Sequence, residues 1–297
     1  MDAPAVSVII PTYNRRDLVQ RALQSVFAQT YRDFEIVVID DGSTDDTRAV
    51  VEGRERVRYL FQENAGPASA RNLGIRKALG EMIAFLDSDD VWWPDFLETQ
   101  LDVLNRYPDA ALVCARSIVG KKEAKYFPLT QELIVGDLYP KLYQQSFVRT
   151  PATVVRKSCL DAVGYFNESY LWSEDHDLWL RIASKYTVAY VNRCLVRIGR
   201  QSDNISRDST RPLDLHLKIA IEVLERNYDA SRISRAIFRR RISKRYLQFS
   251  QLFLKHGESA KAWFCMWRAL SLAPCSVRPY RYLLKGIFRS LSMPRFS

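Results

Sequence analysis

Short apolar runs and amphipathic segments alternate along the first hundred residues of the chain. Nearly continuous apolar runs are typical of strands buried on both faces of a sheet, and apolar residues at helical spacing are typical of surface helices. The predicted strands are Ala5–Ile10, Phe34–Ile39, Val57–Leu60 and Met82–Leu86. The predicted helices are Asp17–Thr30, Thr44–Val51, Gly66–Leu79 and one that begins at Pro94. This alternation predicts an α/β fold with a mostly parallel sheet flanked by helices.

Polar clusters follow three of these strands, at Thr12–Arg15, Asp40–Ser43 and Asp87–Asp90. The carboxyl ends of parallel strands meet at one edge of a sheet, and ligands bind in the crevice there. We therefore expect the three clusters to converge on one site. Ser43 or Thr44 is the expected cap of the helix after the second strand.

Three carboxylates, those of Asp87, Asp89 and Asp90, follow the fourth apolar run directly. Carboxylates this close raise one another's pKa unless a cation lies among them. Oxygen ligands favour a hard divalent ion. The stretch therefore predicts a divalent cation and a phosphate-bearing ligand.

The alternation weakens after Pro108, and residues 120–150 are irregular, basic and aromatic. The later predicted elements are a strand at Ala111–Ala115, a helix at Arg156–Gly164, a helix that begins in the acidic run Ser173–Asp177, and a strand at Val188–Val191. From Leu213 onward the pattern is helical, with breaks at His256-Gly257 and Ala273-Pro274. We predict an α/β domain over residues 1–211 and a smaller helical region over 212–297.

The charge distribution supports this boundary. The net charge is +10, yet residues 212–297 hold 17 Lys and Arg against 5 Asp and Glu, while residues 1–211 hold 27 against 29. No apolar stretch approaches the roughly 18–20 residues of a membrane span, and the N-terminus lacks the basic region of a signal peptide. Five widely spaced cysteines predict free thiols in a reducing compartment. The expected location is cytoplasmic.

Five segments carry a recognisable order of motifs: Val6–Arg15, Ile39–Asp45, Asn64–Gly74, Leu86–Asp90 with Trp93–Asp95, and Ser173–Arg181. Together they resemble a family 2 glycosyltransferase of the GT-A (Rossmann-like) fold, with an Asp-x-Asp motif and a Glu-Asp acceptor motif. The resemblance covers about residues 5–206. It implies inverting transfer of a sugar from a UDP-, GDP- or dTDP-sugar to a hydroxyl of a glycan or lipid-linked glycan of the cell envelope.

The resemblance also implies a set of residues that bind the nucleotide-sugar donor: Pro11, Thr12, Tyr13, Asn14, Asp40, Asp41, Gly66, Arg71, Asp87 and Ser88. Asp41 would accept a hydrogen bond from the base, while Gly42 makes the turn. Arg71 lies one turn into the helix that Pro67 opens, from which it could reach a phosphate. A surface salt bridge is the alternative for Arg71.

Asp89 matches the second aspartate of the family's Asp-x-Asp motif, and the resemblance makes it the direct ligand of Mn²⁺ or Mg²⁺. Asp87 would bind the sugar, the ribose or, through water, the metal. A carboxylate in this stretch, Asp90 above all, could instead cap the helix near Pro94. A cation on the diphosphate would stabilise the leaving group's charge.

A late loop departs from the family pattern, in which many members carry His-x-x-Asn-x-Ser. Gln201 stands in the place of that histidine in Gln201–Ser206. Gln201, through its amide oxygen, or Asp203 is the candidate replacement ligand, and the departure puts the affinity for metal in doubt. His176 is expected to be a solvated side chain near a helix start.

Asp175 is the general base that the resemblance implies; it would deprotonate the acceptor hydroxyl in an oxocarbenium-like transition state. Glu174 and Asp177 compete for this role by residue type, and the three could also merely favour the helix dipole. Trp172 and Glu174 are candidates for the acceptor side. Three further tryptophans could pack on sugar rings or lie in the core: Trp92, Trp93 and Trp179.

Seven basic residues in 232–245 alternate with apolar ones, as in a basic amphipathic helix. Such a helix can lie on an anionic membrane surface, which suits a lipid-linked acceptor and a peripheral location at the inner face of the membrane. The alternative is a packed helical appendage with a solvated basic face. No nucleic-acid recognition motif is present, so no nucleic acid is expected.

Two other functions remain open. A sugar-phosphate nucleotidyltransferase also uses an α/β sheet and aspartates, but it usually opens with a glycine-rich basic phosphate loop, which Pro11–Asp17 lacks. A catalytically silent binding module would use the basic tail as its working surface. The intact Asp87-x-Asp89 and Glu174-Asp175 pairs favour an enzyme over such a module.

Overall fold

The computed structural model describes residues 3–120, 122–123, 127, 130–199 and 212–274. The chain divides into two compact units, Met1–Asp208 and Ser209–Ser297. The predicted domain boundary between residues 211 and 212 stays a prediction, because residues 200–211 lie outside the described ranges. No helix in these ranges is long and apolar enough to cross a membrane.

The first unit is built on one mixed sheet. Its described strands are β1 (Val6–Thr12), β2 (Phe34–Asp40), β3 (Val57–Phe61), β4 (Met82–Phe85), β5 (Val91–Trp92), β6 (Ala110–Val119), β7 (Lys122–Glu123), β8 (Leu133–Gly136), β9 (Thr153–Arg156) and β10 (Thr187–Ile198). Its described helices are α1 (Arg16–Phe27), α2 (Thr47–Val51), α3 (Pro67–Lys77), α4 (Phe96–Arg106), α5 (Tyr139–Gln144), α6 (Lys157–Val163) and α7 (Glu174–Lys185). The predicted α/β fold is confirmed.

The strand order is β3-β2-β1-β4-β9-β6-β10-β5, with β7 on β6 and β8 on β10. The four strands predicted from the first hundred residues pair in parallel, and so do β6 and β10. The remaining pairings are antiparallel, including both partners of β9. The parallel half therefore follows the prediction, and β9 joins it to the second half.

Burial on both faces explains why the first strands are so continuously apolar. Every residue of β1 and β2 is buried. The helix α3 packs closely on these strands because Gly74 has no side chain: a Cβ there would lie 2.6 Å from Cγ2 of Ile9 and 2.8 Å from Cδ1 of Ile39. This close approach holds α3 against the sheet.

Several predicted elements need correction. The strands β5, β7, β8 and β9 and the helix α5 were not predicted, and β6 and β10 extend well beyond 111–115 and 188–191. The helix α2 begins at Thr47, so the predicted cap at Ser43 or Thr44 is wrong. The Asp45 carboxylate accepts from the Thr47 backbone N–H at 3.0 Å, which delays the helix start. The helix α4 begins at Phe96, after Pro94.

All the described secondary structure of the second unit is helical, as predicted. It contains α8 (Leu213–Arg226), α9 (Arg235–Lys255) and α10 (Ser259–Leu272). The break before α9 was not predicted, whereas the break at His256-Gly257 is confirmed. The small core of this unit contains Ala220, Phe249, Phe253, Ala262 and Cys265.

Candidate active site

The carboxyl ends of β1, β2 and β4 bring the three predicted polar clusters together. The Asn14 backbone N–H donates to Ser43 Oγ at 2.8 Å, and Asn14 Oδ1 accepts from the Thr44 N–H at 2.7 Å. Arg15 Nη1 lies 3.0 Å from Asp89 Oδ1. These contacts link the first cluster to each of the other two, so the predicted convergence is confirmed.

The loop after β1 offers both polar and aromatic surface. Thr12 is buried, and its Oγ1 has no hydrogen-bond partner among the described residues. The Tyr13 side chain is 47% exposed, which leaves its ring open to solvent, while Pro11 is buried in β1. Asn14 adopts a left-handed backbone with φ of 49°, a conformation that asparagine tolerates better than most residues. The loop can therefore present the Tyr13 ring to a bound ligand.

Asp40 and Asp41 both organise backbone. Asp40 accepts from the Ser43 N–H at 2.8 Å and from the Tyr59 hydroxyl at 2.7 Å; burial and this carboxylate raise the pKa of Tyr59. Asp41 accepts from Gln62 Nε2 at 2.6 Å and from the Ala65 and Gly66 N–H groups, both at 2.9 Å. A carboxylate has about four acceptor positions, so contact with a base would use the one that remains.

The three aspartates in the turn after β4 have different partners: Asp87 and Asp89 pair with arginines, and Asp90 accepts from a backbone N–H. Asp90 is buried, and its Oδ1 accepts from the Gly199 N–H at 2.8 Å, so it ties the end of β10 to this turn. The cap position of α4 is occupied by Asp95, and the capping alternative for Asp90 is therefore wrong. Burial, followed by the charges of Asp87 and Asp89, raises the pKa of Asp90 well above its ordinary value.

Arg71 connects the two halves of the site. Its Nη2 donates to Asp87 Oδ1 at 2.7 Å, and its Nη1 lies 3.3 Å from Glu174 Oε1. The guanidinium also lies 5.5 Å from the centre of the Phe166 ring. Because the Arg71 side chain is only 8% exposed, the surface salt bridge considered from the sequence is wrong. The surrounding Asp87 and Glu174 carboxylates raise the pKa of Arg71 despite its burial.

The first turn of α7 carries three carboxylates: Glu174 and Asp175 lie at the site, and Asp177 has a structural role. Ser173 enters the helix with a left-handed φ of 61°. Burial, and then the neighbouring Asp175, raise the pKa of Glu174 to about 7, against the opposing effect of Arg71. Asp177 is buried and pairs with Arg181 Nε at 2.8 Å, which assigns it to structure. Asp175 is half-buried, and its Oδ1 accepts from the adjacent backbone N–H at 2.6 Å.

The structure shows where the predicted histidine and tryptophan side chains lie. His176 is buried, so its expected solvation is wrong; helical spacing places it on the same inward face as Trp179 and Leu180. Trp179 packs edge-on against Phe85, and Trp92 donates to a backbone carbonyl, so both belong to the core. The remaining predicted residues have these surroundings: Trp172 and Ser88 are buried, Trp93 is half-buried, and Gln201 and Asp203 lie outside the described residues.

Sequence reasoning missed two residues that hold the site together. Arg15 forms a salt bridge with Asp89. The sequence placed Arg15 in the opening motif but assigned it no role. Asn72 is buried; its Nδ2 donates to the Phe166 carbonyl at 2.9 Å, and its Oδ1 accepts from the Phe166 N–H at 3.0 Å. Its position next to Arg71 on α3 could have drawn attention to Asn72. Adjacent residues of a helix point in different directions, so Asn72 contacts a different element from Arg71.

The carboxylates at the end of β4 have the oxygen chemistry that a divalent cation prefers. The described residues contain no group of three or more His, Cys, Asp or Glu side chains that could hold a metal. Magnesium sites commonly use one or two carboxylates together with substrate phosphates, and Asp87 and Asp89 supply such oxygens. The charge crowding that raises the Asp90 pKa is the environment that a cation relieves. The donor set therefore fits an ion whose shell is completed by a diphosphate.

The family model described as Glycosyl transferase family 2 matches residues 7–166, a range that contains the sheet edge and all residues of the strand-end clusters. The chain belongs to this family. Its curated relatives include an uncharacterized glycosyltransferase of Rickettsia felis, 36% identical over 196 residues, which cover 65% of this chain and 32% of that protein. The chain thus spans about a third of the length of this relative.

A second relative is matched over most of its length. It is the Escherichia coli UDP-Glc:alpha-D-GlcNAc-diphosphoundecaprenol beta-1,3-glucosyltransferase WfgD, 33% identical over 201 residues, which cover 65% of this chain and 75% of that protein. Similar solved structures include S. aureus TarS in complex with UDP-GlcNAc, with a TM-score of 0.68, 19% identity and coverage of 100% of this chain and 94% of that one.

A further similar structure is the mannosyltransferase PcManGT of Pyrobaculum calidifontis in complex with GDP-Man and Mn2+. Its TM-score is 0.65 at 19% identity, with 98% of this chain and 81% of that one covered. At this level of identity the structural likeness concerns the fold alone.

Proposed function

We propose that the first unit catalyses inverting transfer of a sugar from a nucleotide-diphosphate sugar to a hydroxyl of a glycan or lipid-linked glycan. The observation that carries this proposal is the position of Arg71 between Asp87, at the end of β4, and Glu174, in the acidic turn of α7. A single buried guanidinium thus joins the turn that would hold the donor to the turn that would hold the acceptor.

The donor lies along the strand ends in this proposal. Tyr13 and the remaining acceptor position of Asp41 receive the nucleoside. Asp89, with Asp87, would hold the metal. A bound Mn²⁺ or Mg²⁺ would neutralise negative charge developing on the leaving diphosphate. Arg15, which pairs with Asp89, would add a second cation close to the diphosphate.

The acceptor enters from the side of α7. Asp175 is the proposed general base, since Asp177 is committed to Arg181 and Glu174 to Arg71. It takes the proton from the acceptor hydroxyl as that oxygen attacks the anomeric carbon and the bond to the diphosphate breaks. Glu174 holds Arg71 in place and carries a pKa of about 7, so it can also share a proton with the base.

Release of nucleotide from UDP-, GDP- and dTDP-sugars, with and without Mn²⁺ or Mg²⁺, tests this proposal without knowledge of the acceptor. Asp89→Asn keeps an oxygen that can accept from Arg15 but removes the charge, so turnover should fall by about a hundredfold. Asp102→Asn, at an exposed position on α4, is the matched control and should retain turnover. Metal-stimulated turnover that survives Asp89→Asn unchanged would contradict the metal assignment.

The relative WfgD is named for a diphosphoundecaprenol-linked acceptor, and a lipid-linked acceptor requires the enzyme at a membrane surface. We propose that α9, which holds seven Lys and Arg and no acidic residue, brings the chain to the anionic inner face of the membrane. The triple variant Arg235→Gln, Arg239→Gln, Arg240→Gln should reduce sedimentation with anionic vesicles. Unchanged sedimentation would contradict this role of α9.

A further inference from the structure

Large exposed apolar side chains are distributed differently in the two units. In the first unit they are scattered over five separate segments: Tyr13, Phe61, Leu79, Tyr107 and Leu171. In the second unit three of them lie within five consecutive positions of α10, at Trp263, Phe264 and Trp267, which are 48%, 55% and 60% exposed. Single exposed apolar residues are ordinary on protein surfaces, whereas a contiguous cluster indicates a binding surface.

These three residues form one side of the helix, here called the aromatic face of α10. Positions three and four residues apart, such as Phe264 and Trp263 relative to Trp267, are neighbours on a helix surface, and the Phe264 and Trp267 rings lie 6.3 Å apart. The opposite side of α10 is buried, through Ala262, Cys265, Met266 and Ala269. The aromatic face therefore takes no part in the packing of α10 into the core of its own unit.

Positive charge borders the C-terminal half of this face. Arg239 on α9 donates to the Ser271 carbonyl at 3.5 Å, next to the end of α10. Arg268, on α10 itself, stacks over the ring of Tyr246. Lys261, at the opposite end of α10, pairs with Asp214 and Glu258. The aromatic face is thus flanked by arginines at one end and by neutralised charges at the other.

Indole rings combined with arginines match the interfacial region of a lipid bilayer. Tryptophan prefers the boundary between headgroups and acyl chains, where its ring is buried and its N–H stays hydrated. Arginines beside it would meet the phosphates of anionic lipids. A soluble acidic partner would account for the arginines but not for two half-exposed indoles, so the combination favours a lipid surface.

We propose that the aromatic face of α10 inserts into the headgroup region of an anionic bilayer, with Arg239 and Arg268 at the lipid phosphates. This inference deepens the membrane location proposed for α9, because it adds an apolar, inserting element to an electrostatic one. It does not require the transferase reaction, since vesicle binding is measured without a sugar donor.

The full-length chain is mixed with vesicles of phosphatidylcholine alone or with phosphatidylglycerol, and partition is measured by sedimentation at low and high salt. The triple variant Trp263→Ser, Phe264→Ser, Trp267→Ser should reduce partition about tenfold, because binding scales with buried apolar area. What remains should be removed by salt. The matched control is Leu79→Ser with Tyr107→Ser, two exposed apolar positions of the first unit, which should leave partition unchanged.

Brominated acyl chains provide a second measurement that does not depend on affinity. Bromine quenches tryptophan fluorescence only at close range, so the wild-type chain should be quenched in brominated vesicles. Trp263→Phe with Trp267→Phe keeps an aromatic surface and should bind vesicles while losing that quenching. This pair of results separates insertion of α10 from adsorption by the α9 charges alone.

Three outcomes would overturn the proposal. One is unchanged partition and quenching in the triple variant while circular dichroism shows that it is folded. The second is a self-associated wild-type chain in sedimentation velocity that the triple variant converts to a monomer, which would assign the aromatic face to a second copy of the chain. The third is loss of vesicle binding in the triple variant Arg235→Gln, Arg239→Gln, Arg240→Gln but not in the aromatic triple variant, which would leave no role for insertion.

Discussion

Arg71 Nη2 donates to Asp87 Oδ1 at 2.7 Å and thereby ties α3 to the turn that follows β4. The contact is buried on the arginine side and about a third exposed on the aspartate side, with side-chain exposures of 8% and 30%. A cation held in this way fixes the orientation of the Asp87 carboxylate before any ligand binds.

We predict that Arg71→Met destabilises the protein and weakens donor binding together. The methionine fills similar volume, but it leaves Glu174 and Asp87 without their cation, which costs about 3 kcal/mol for a buried pair. Thermal unfolding and calorimetric titration with UDP or GDP measure the two effects. Arg76→Met on the same helix, where the side chain is 48% exposed, should be nearly neutral. A stable Arg71→Met variant with normal nucleotide affinity would remove Arg71 from the site.

Asn72→Ala should loosen the segment that leads from Phe166 to α7. The side chain replaces two backbone hydrogen bonds of Phe166, so its removal leaves a buried N–H and carbonyl unsatisfied at a cost of about 2 kcal/mol. Because this segment precedes Asp175, transfer to acceptor should fall more than donor affinity. Asn72→Asp would place a buried carboxylate against the Phe166 carbonyl and the Glu168 carboxylate, so it should be at least as destabilising as Asn72→Ala. Equal losses of donor affinity and transfer would argue for a general structural role only.

The sequence predicted the parallel half of the sheet because burial on both faces leaves an unmistakable apolar run in β1 and β2. It could not predict β9, a strand of four residues whose antiparallel neighbours are distant in the chain. Pairings of this kind are decided by tertiary contacts rather than by local propensity.

The same division applies to the site. Strand-end positions were sufficient to predict that Asp41 and Asp89 share an edge of the sheet. The burial of Arg71 and His176 was not predictable, because both depend on which face of a helix meets the rest of the unit. The role of Asp90 required Gly199, which is 109 residues away in the chain.

Glu174 gives a pH dependence with a defined sign. Its folded-state pKa of about 7 is above the ordinary 4.5, so the folded state binds the proton more tightly than the unfolded state does. Its contribution to stability is therefore greatest below pH 4.5 and is lost as the pH rises to about 7. Glu174→Gln should become more stable relative to wild type across this window, by on the order of 2 kcal/mol. Denaturant titrations at pH 5 and pH 8 measure this difference.

Glu55→Gln serves as the control for that series, because the Glu55 side chain is 91% exposed and should show no such trend. A wild-type-minus-variant difference that is flat between pH 5 and pH 8 would contradict the raised pKa of Glu174.

Gly199→Ala should displace the end of β10 from the aspartate turn, because an added Cβ would overlap the backbone oxygen of Asp89. Donor turnover should fall by about tenfold or more, since small displacements of a positioning contact are costly. Asp90→Asn keeps the Oδ1 that accepts from the Gly199 N–H and should affect turnover less than Gly199→Ala. If Asp90→Asn reduced turnover more than Gly199→Ala, the site would require the carboxyl group of Asp90 itself rather than its hydrogen bond with the Gly199 N–H.

The central claim is that donor and acceptor meet between the strand ends and α7, with Asp175 as the base. Its most direct test compares donor affinity with transfer rate in Asp175→Asn, using a donor that the wild-type chain hydrolyses and a lipid-linked or soluble glycan acceptor. The account predicts wild-type affinity for the nucleotide and a transfer rate lower by about a hundredfold or more. Normal transfer, or a loss of nucleotide binding equal to the loss of transfer, would contradict it.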